Sequence, residues 1–166
     1  MIRRPPRSTQ GVSSAASDVY KRQICDKAKI NVWELIDLAN KHPRVNILKP
    51  GCGVGGHCIA VDPYFILSDY PKESKIIGTA REVNNYKAFW CAEKILSTKL
   101  KFQIEFGREP SIALMGLAFK PNIDDLRESP AIEVYEQLSK KYERVFAVEP
   151  NIDSNFKDFV ILELLN

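Results

Sequence analysis

A chain of 166 residues has room for one ordinary domain or pieces of two, and 45% hydrophobic with 27% charged residues excludes a wholly disordered polypeptide. The net charge of +3 arises in residues 1–23, which hold five basic side chains and one acid; beyond them 19 basic residues face 20 acidic ones, so no nucleic-acid-binding face is expected. The most apolar stretches, Ser111–Phe119 and Phe159–Leu165, are far shorter than the roughly 20 residues that span a bilayer, so no membrane segment is expected.

Residues 1–23 (MIRRPPRSTQGVSSAASDVYKRQ) are rich in Arg, Pro and Ser with no apolar period, and are predicted to be disordered. The Pro5-Pro6 pair breaks the amphipathic helix of a transit peptide, and no apolar stretch fits a secretory signal. The segment resembles translated adapter read-through, and the expectation is that native upstream sequence is missing. The four cysteines, Cys25, Cys52, Cys58 and Cys91, are accordingly expected to be reduced thiols in the cytoplasm.

From Ile24 the pattern is helical. Ile24 and Ala28 are followed, after Asn31, by Val32, Leu35, Ile36 and Ala39 at helical spacing, with Asn31 as N-cap, Glu34 answering it three residues on, and an end near His42-Pro43. A loop from Pro50 to Pro63 holds Gly51, Gly53, Gly55 and Gly56, too many for the interior of an element. A long helix is predicted from about Lys72 to Leu100, with Ile76, Ile77, Ala80, Val83, Phe89, Trp90, Ile95 and Leu96 forming a stripe broad enough to suggest burial on more than one side. Ser111–Leu117 (SIALMGL) reads as a buried strand, Ser129-Pro130 opens a helix carrying Ile132, Val134 and Leu138, and Arg144–Val148 (RVFAV) is the next strand. Strand, helix and strand begin a parallel α/β unit, with space for roughly one more element after Pro150.

The chemistry points to PGCGVGGHCIAVDPYF, Pro50–Phe65. Gly55 and Gly56 allow close backbone approach to a ligand, and Cys58 is displayed as the chain leaves the loop. Asp62 lies one helical turn beyond, where a carboxylate can steer a proton or a water. By spacing alone Cys58 is a buried structural thiol, a nucleophile or, with Cys52 and His57, a metal ligand; the metal reading lacks paired C-x-x-C spacing and a fourth ligand, and no metal is expected.

The motif G-x-G-G-H-C-x-x-x-D-P-Y resembles the catalytic loop of nucleotide-sugar dehydrogenases, the UDP-glucose/GDP-mannose dehydrogenase family. A second block, GLAFKPNIDDLRESPAIEV from Gly116 to Val134, is similar to the opening of that family's C-terminal UDP-binding domain. The stretch Ile30–Ile66 is similar to the branch acting on UDP-N-acetylmannosamine. UDP-glucose dehydrogenases usually carry Ser and a Phe-x-Lys-Asp pattern where this chain has His57 and Ile59-Ala60-Val61-Asp62, which argues against UDP-glucose.

The resemblance implies the following expectations. Residues 24–106 form a helical central domain of dimerisation type, with homodimer contacts through the long helix, and 107–166 begin a Rossmann-like UDP-binding domain. Two NAD oxidise the sugar C6 alcohol to a carboxylate for polysaccharide precursor synthesis, with Cys58 as nucleophile and Asp62 assisting the hydrolytic water. Phe119 and Lys120 contact the UDP-sugar, Gly55 gives it a backbone contact, His42 and Arg44 reach a neighbouring subunit's substrate site, and Arg127 contacts NAD. The fingerprint of the family's N-terminal dinucleotide fold, Gly-x-Gly-x-x-Gly between a strand and a helix, and the family's catalytic lysine and asparagine are not found in these residues, so the isolated chain is expected to be inactive. The rival classes are a non-enzymatic helical interaction module and a small metal-binding protein.

Overall fold

A computed structural model of the chain describes residues 21–47 and 51–152. The expectations for residues 1–20, for Pro50 and for an element within 153–166 lie outside the described residues. The described residues divide into two compact units, the first ending at Lys87 and the second beginning at Ala88.

In the first unit a helix covers 21–28 (α1), followed by α2 (Val32–Ala39), α3 (Asp62–Asp69) and the opening of α4 (Lys75–Phe106). Asn31 caps α2 as its spacing predicts: its side-chain oxygen accepts the Trp33 N–H at 3.0 Å, and its amide donates to Glu34 at 2.9 Å. Cys25, Val32 and Ile36 are buried together with Ile47 packed against them. α2 ends at Ala39 rather than near His42, because Asn40 leaves the helix to serve the chain that follows. Its side chain accepts the Ile47 N–H at 2.7 Å and donates to the Ile47 carbonyl at 3.0 Å.

The broad apolar stripe of the long helix is not buried as expected. Of the stripe Ala80 is buried, but Ile76 is 81% exposed and Phe89 is exposed too, while Arg81, Asn84 and Lys87 are buried beside Ala80 in this unit. These residues recur at helical spacing, but they are small or polar. A glycine-rich loop brings backbone N–H and C=O groups against its neighbour, and those groups need hydrogen-bond partners that large apolar side chains do not offer.

The second unit contains the rest of α4, then β1 (Ile112–Met115), α5 (Pro130–Ser139) and β2 (Val145–Val148). β1 and β2 pair in parallel, with Ile112 opposite Val145 and Met115 opposite Val148, so the expected strand–helix–strand unit is present. Ser129 starts α5 by accepting the Ala131 N–H at 3.3 Å while its hydroxyl donates to the Leu117 carbonyl at 2.6 Å. α5 packs on β2, and Leu117, Val134, Leu138, Val145 and Ala147 are buried in this unit. β1 departs from the buried-strand expectation: Met115 is 68% exposed and its neighbours alternate between half-buried and exposed. Among the described residues no helix is long and apolar enough to cross a membrane.

Glu149, just after β2, ties the unit together. Its Oε2 accepts the backbone N–H of Leu117 at 2.8 Å and of Ala118 at 3.0 Å, and its Oε1 accepts the backbone and side-chain N–H groups of Asn151, both at 3.1 Å. Burial would raise its carboxyl pKa, but these bonds to the charged form outweigh that and hold it below the ordinary value. A lowered folded-state pKa gives stability above the unfolded carboxylate pKa, and that stability is lost as the pH falls through the lowered value. Glu149→Gln is therefore expected to cost about 2 kcal/mol at neutral pH, because one amide N–H then faces backbone donors. Urea unfolding at neutral pH and at about pH 3 checks this; the gap between the two proteins should narrow in acid. An equal gap at both would assign the effect to packing alone.

Candidate functional site

Gly56, with φ of 94°, turns the chain immediately before His57 and Cys58, in a region closed to most side-chain-bearing residues. The turn then closes on itself: the Ala60 N–H donates to the Gly56 carbonyl at 3.2 Å, and the N–H groups of Val61 and Asp62 both donate to the Cys58 carbonyl, at 3.1 and 2.8 Å. The backbone of Cys58 is thus fixed while its residue stays exposed, and Gly55 and Gly56 are buried beneath it. Exposure removes the buried structural thiol reading for Cys58; among the described cysteines Cys25 is the buried one.

Asp62 opens α3, and its N–H bond to the Cys58 carbonyl has the one-turn spacing expected from sequence, so the two residues lie on the same side of the coil. His42 and Arg44 occupy a different place, the exposed turn after α2, where the Arg44 N–H donates to His42 Nδ1 at 3.3 Å. The remaining expected residues lie in the second unit, in the connection between β1 and α5. Phe119 is half-buried, and the exposed Lys120 places its ammonium 5.2 Å from the Phe119 ring centre, a cation–π contact. Arg127 is exposed, and Asp125 grips its guanidinium through both carboxylate oxygens, with Nη2 2.7 Å from Oδ2 and Nε 2.9 Å from Oδ1. Because Glu149 takes the amides of Leu117 and Ala118, Lys120 and Arg127 are the cations this connection offers to an anionic ligand. No group of three or more His, Cys, Asp or Glu side chains suited to a metal occurs among the described residues.

Sequence reasoning missed the residues of α4 that hold the cysteine loop. Asn84 accepts the Val54 N–H at 2.8 Å and donates to the Val54 carbonyl at 3.1 Å, satisfying both backbone groups with one amide. Arg81 also points Nη1 at that carbonyl, at 3.5 Å, and donates from Nη2 to Asn85 at 2.9 Å; Asn85 in turn donates to the Tyr64 hydroxyl on α3 at 3.2 Å. A legible signal existed: two adjacent asparagines inside a helix are poor helix formers, and Arg81 lies three and four residues before them.

Residues 21–86 match the profile of the UDP-glucose/GDP-mannose dehydrogenase family, central domain, and residues 113–164 match the same family's UDP binding domain. The chain is 60% identical over 130 residues to a UDP-N-acetyl-D-mannosamine dehydrogenase of Campylobacter jejuni, covering 78% of this chain and 31% of that protein. It is 50% identical over 144 residues to an NDP-N-acetyl-D-galactosaminuronic acid dehydrogenase of Ralstonia solanacearum, covering 86% of this chain and 33% of that protein. The fold matches a structure of the UDP-N-acetyl-mannosamine dehydrogenase of Staphylococcus aureus with a TM-score of 0.74 at 39% identity, over 90% of this chain and 35% of that one. The chain thus spans about a third of the length of the curated relatives it matches. Two profiles of one family, in the order and at the places where the two sequence motifs stand, account for most of the residues, and the chain belongs to the UDP-glucose/GDP-mannose dehydrogenase family.

Proposed function

We propose that the chain is a segment of an NAD-dependent nucleotide-sugar 6-dehydrogenase that acts on UDP-N-acetylmannosamine and makes a uronate precursor for polysaccharide. The observation that carries this reading is the exposed Cys58 on its rigid glycine turn, with Asp62 one helical turn away, in a chain of this family. The substrate choice draws support from relatives whose names specify N-acetylated sugar nucleotides.

Hydride leaves C6 of the sugar and a proton leaves its hydroxyl oxygen to give an aldehyde, which the Cys58 thiolate captures as a thiohemiacetal. That adduct is a competent hydride donor, where the free aldehyde is not, and its oxidation gives a thioester. Water attacks the thioester carbonyl, releasing the carboxylate and restoring the thiol, with Asp62 accepting the proton of that water. NAD, when bound, supplies the acceptor for both hydrides. The described residues provide little of its site: the β1–α5 connection has one glycine, Gly116, its first amides are spent on Glu149, and Arg127, assigned to the cofactor, is paired with Asp125. Lys120 and Phe119 are assigned to the UDP-sugar, as is the backbone of Gly55, and His42 with Arg44 to a neighbouring subunit's substrate. Within this reading, 24–106 is the central domain, α4 is its homodimer surface, 107–166 is part of the UDP-binding domain, and the enzyme works in the cytoplasm.

The test is stoichiometry in the intact protein that carries this segment. Two NADH per UDP-N-acetylmannosamine, with a carboxylate product, are expected, and none from the 166-residue chain alone. Preference for another N-acetylated UDP-hexosamine would move the substrate and keep the chemistry, the second reading that the Ralstonia relative favours. Absence of NADH with every UDP-sugar would overturn the reading.

A further inference from the structure

We infer that the polar face of α4 formed by the buried Arg81 and Asn84 and the exposed Asn85 is the positioning surface of Cys58, with Asn84 as its principal residue; the inference rests on Cys58 being the nucleophile proposed above. The loop preceding Cys58 carries Gly51, Gly53, Gly55 and Gly56, and glycine loses more backbone freedom on ordering than any other residue. Such a loop holds a thiol in one place only if something outside it pins the backbone.

Asn84 supplies that pin. Its amide donates and accepts with Val54 as a neighbouring strand would, four residues before Cys58, at 2.8 and 3.1 Å. The second pin follows Cys58: Arg81 orients Asn85, and Asn85 holds the Tyr64 hydroxyl on α3. Both flanks of the turn are therefore tied to one helix face, and the turn between them is closed by its own hydrogen bonds. The Arg81 bond to the Val54 carbonyl, at 3.5 Å, is long, which leaves Asn84 with most of the restraint.

The composition of this face argues for placement over simple packing. Arg81 is 5% exposed and Asn84 4% exposed. The Arg81 Nε has no hydrogen-bond partner among the described residues, although burial of a charged group costs free energy that an apolar residue would avoid. Large apolar residues were at hand on the same helix, yet Ile76 is 81% exposed. What the polar face provides is a fixed backbone at Val54 and Tyr64, and through it a fixed origin for the Cys58 side chain.

The experiment uses Asn84→Ala and Asn84→Asp in the intact protein, beside Cys58→Ala. Thiol misplacement by about an ångström costs rate, not binding, so Asn84→Ala should lower kcat by roughly 10- to 100-fold with KM within about twofold. Asn84→Asp keeps the acceptor for the Val54 N–H and should recover part of that loss. Hydrogen exchange at the Val54 amide, measured on the same proteins, should accelerate in the order wild type, Asp, Ala. If Asn84→Ala does not fold, Asn84→Asp decides alone, with a lowered kcat and faster Val54 exchange expected. Wild-type kcat per folded protein in every variant that folds, with Cys58→Ala inactive, overturns the positioning role and leaves the proposed chemistry standing. Turnover retained in Cys58→Ala overturns the chemistry itself, and the exchange rate at Val54 still reports whether the clamp exists.

Discussion

Cys58→Ala in the intact protein is expected to abolish carboxylate formation, with turnover lowered at least about 1000-fold, the scale of losing a covalent nucleophile. The size of the effect follows from the second oxidation. An aldehyde carbonyl has no hydride to give until something adds to it, and in the proposed reaction the Cys58 thiol is the group that adds. Alanine leaves the backbone of the turn intact, because the hydrogen bonds that shape it run through the Cys58 carbonyl and not through its sulfur. Stability should therefore be unchanged, and the loss should be chemical. Cys52, half-buried on the same loop, is the internal control: Cys52→Ala should retain turnover. Product analysis by mass spectrometry, alongside NADH counted per sugar, reads both variants. A Cys58→Ala protein that still yields two NADH and a uronate would exclude the thioester route.

The cysteine turn and the parallel strand–helix–strand unit were legible in the sequence because each rests on local rules. Glycines mark the turn, Asn31 and Ser129 have the chemistry of caps, and the apolar runs at 112–115 and 145–148 have strand length. The buried face of α4 was not legible from hydrophobic periodicity, which selects large apolar residues and so pointed at Ile76 and Phe89. Ala80 stood on the expected stripe, but Arg81 and Asn84 are buried by what lies against them, a loop distant in sequence whose backbone needs donors and acceptors. Periodicity carries no information about such a partner. Asn40 shows the same effect at a helix end: its amide serves Ile47, seven residues away, and α2 stops where that bond begins. Glu149 does likewise in the second unit, where a charged residue after a strand is buried because four donors meet it.

Asp62→Asn should slow turnover by roughly 100- to 10,000-fold, the usual range for loss of a general acid or base, and should do so at the hydrolytic step. Asp62 stands at the first residue of α3, where a carboxylate also suits the positive end of the helix, an effect worth only about 0.3–1 kcal/mol. That structural role predicts a small loss of stability and no loss of rate. The chemical role predicts something a stability change cannot imitate: the thioester forms on Cys58 but is not cleared, because an amide cannot take the proton of the attacking water. Intact-mass analysis of Asp62→Asn quenched in acid during turnover should then show the protein heavier by the acyl group, on the peptide that holds Cys58, with hydroxylamine restoring the original mass. Slow turnover without this adduct would place Asp62 before the thioester, in capture or oxidation of the aldehyde. Unchanged turnover would reduce Asp62 to a helix-terminal carboxylate and assign activation of the water to a group outside this segment.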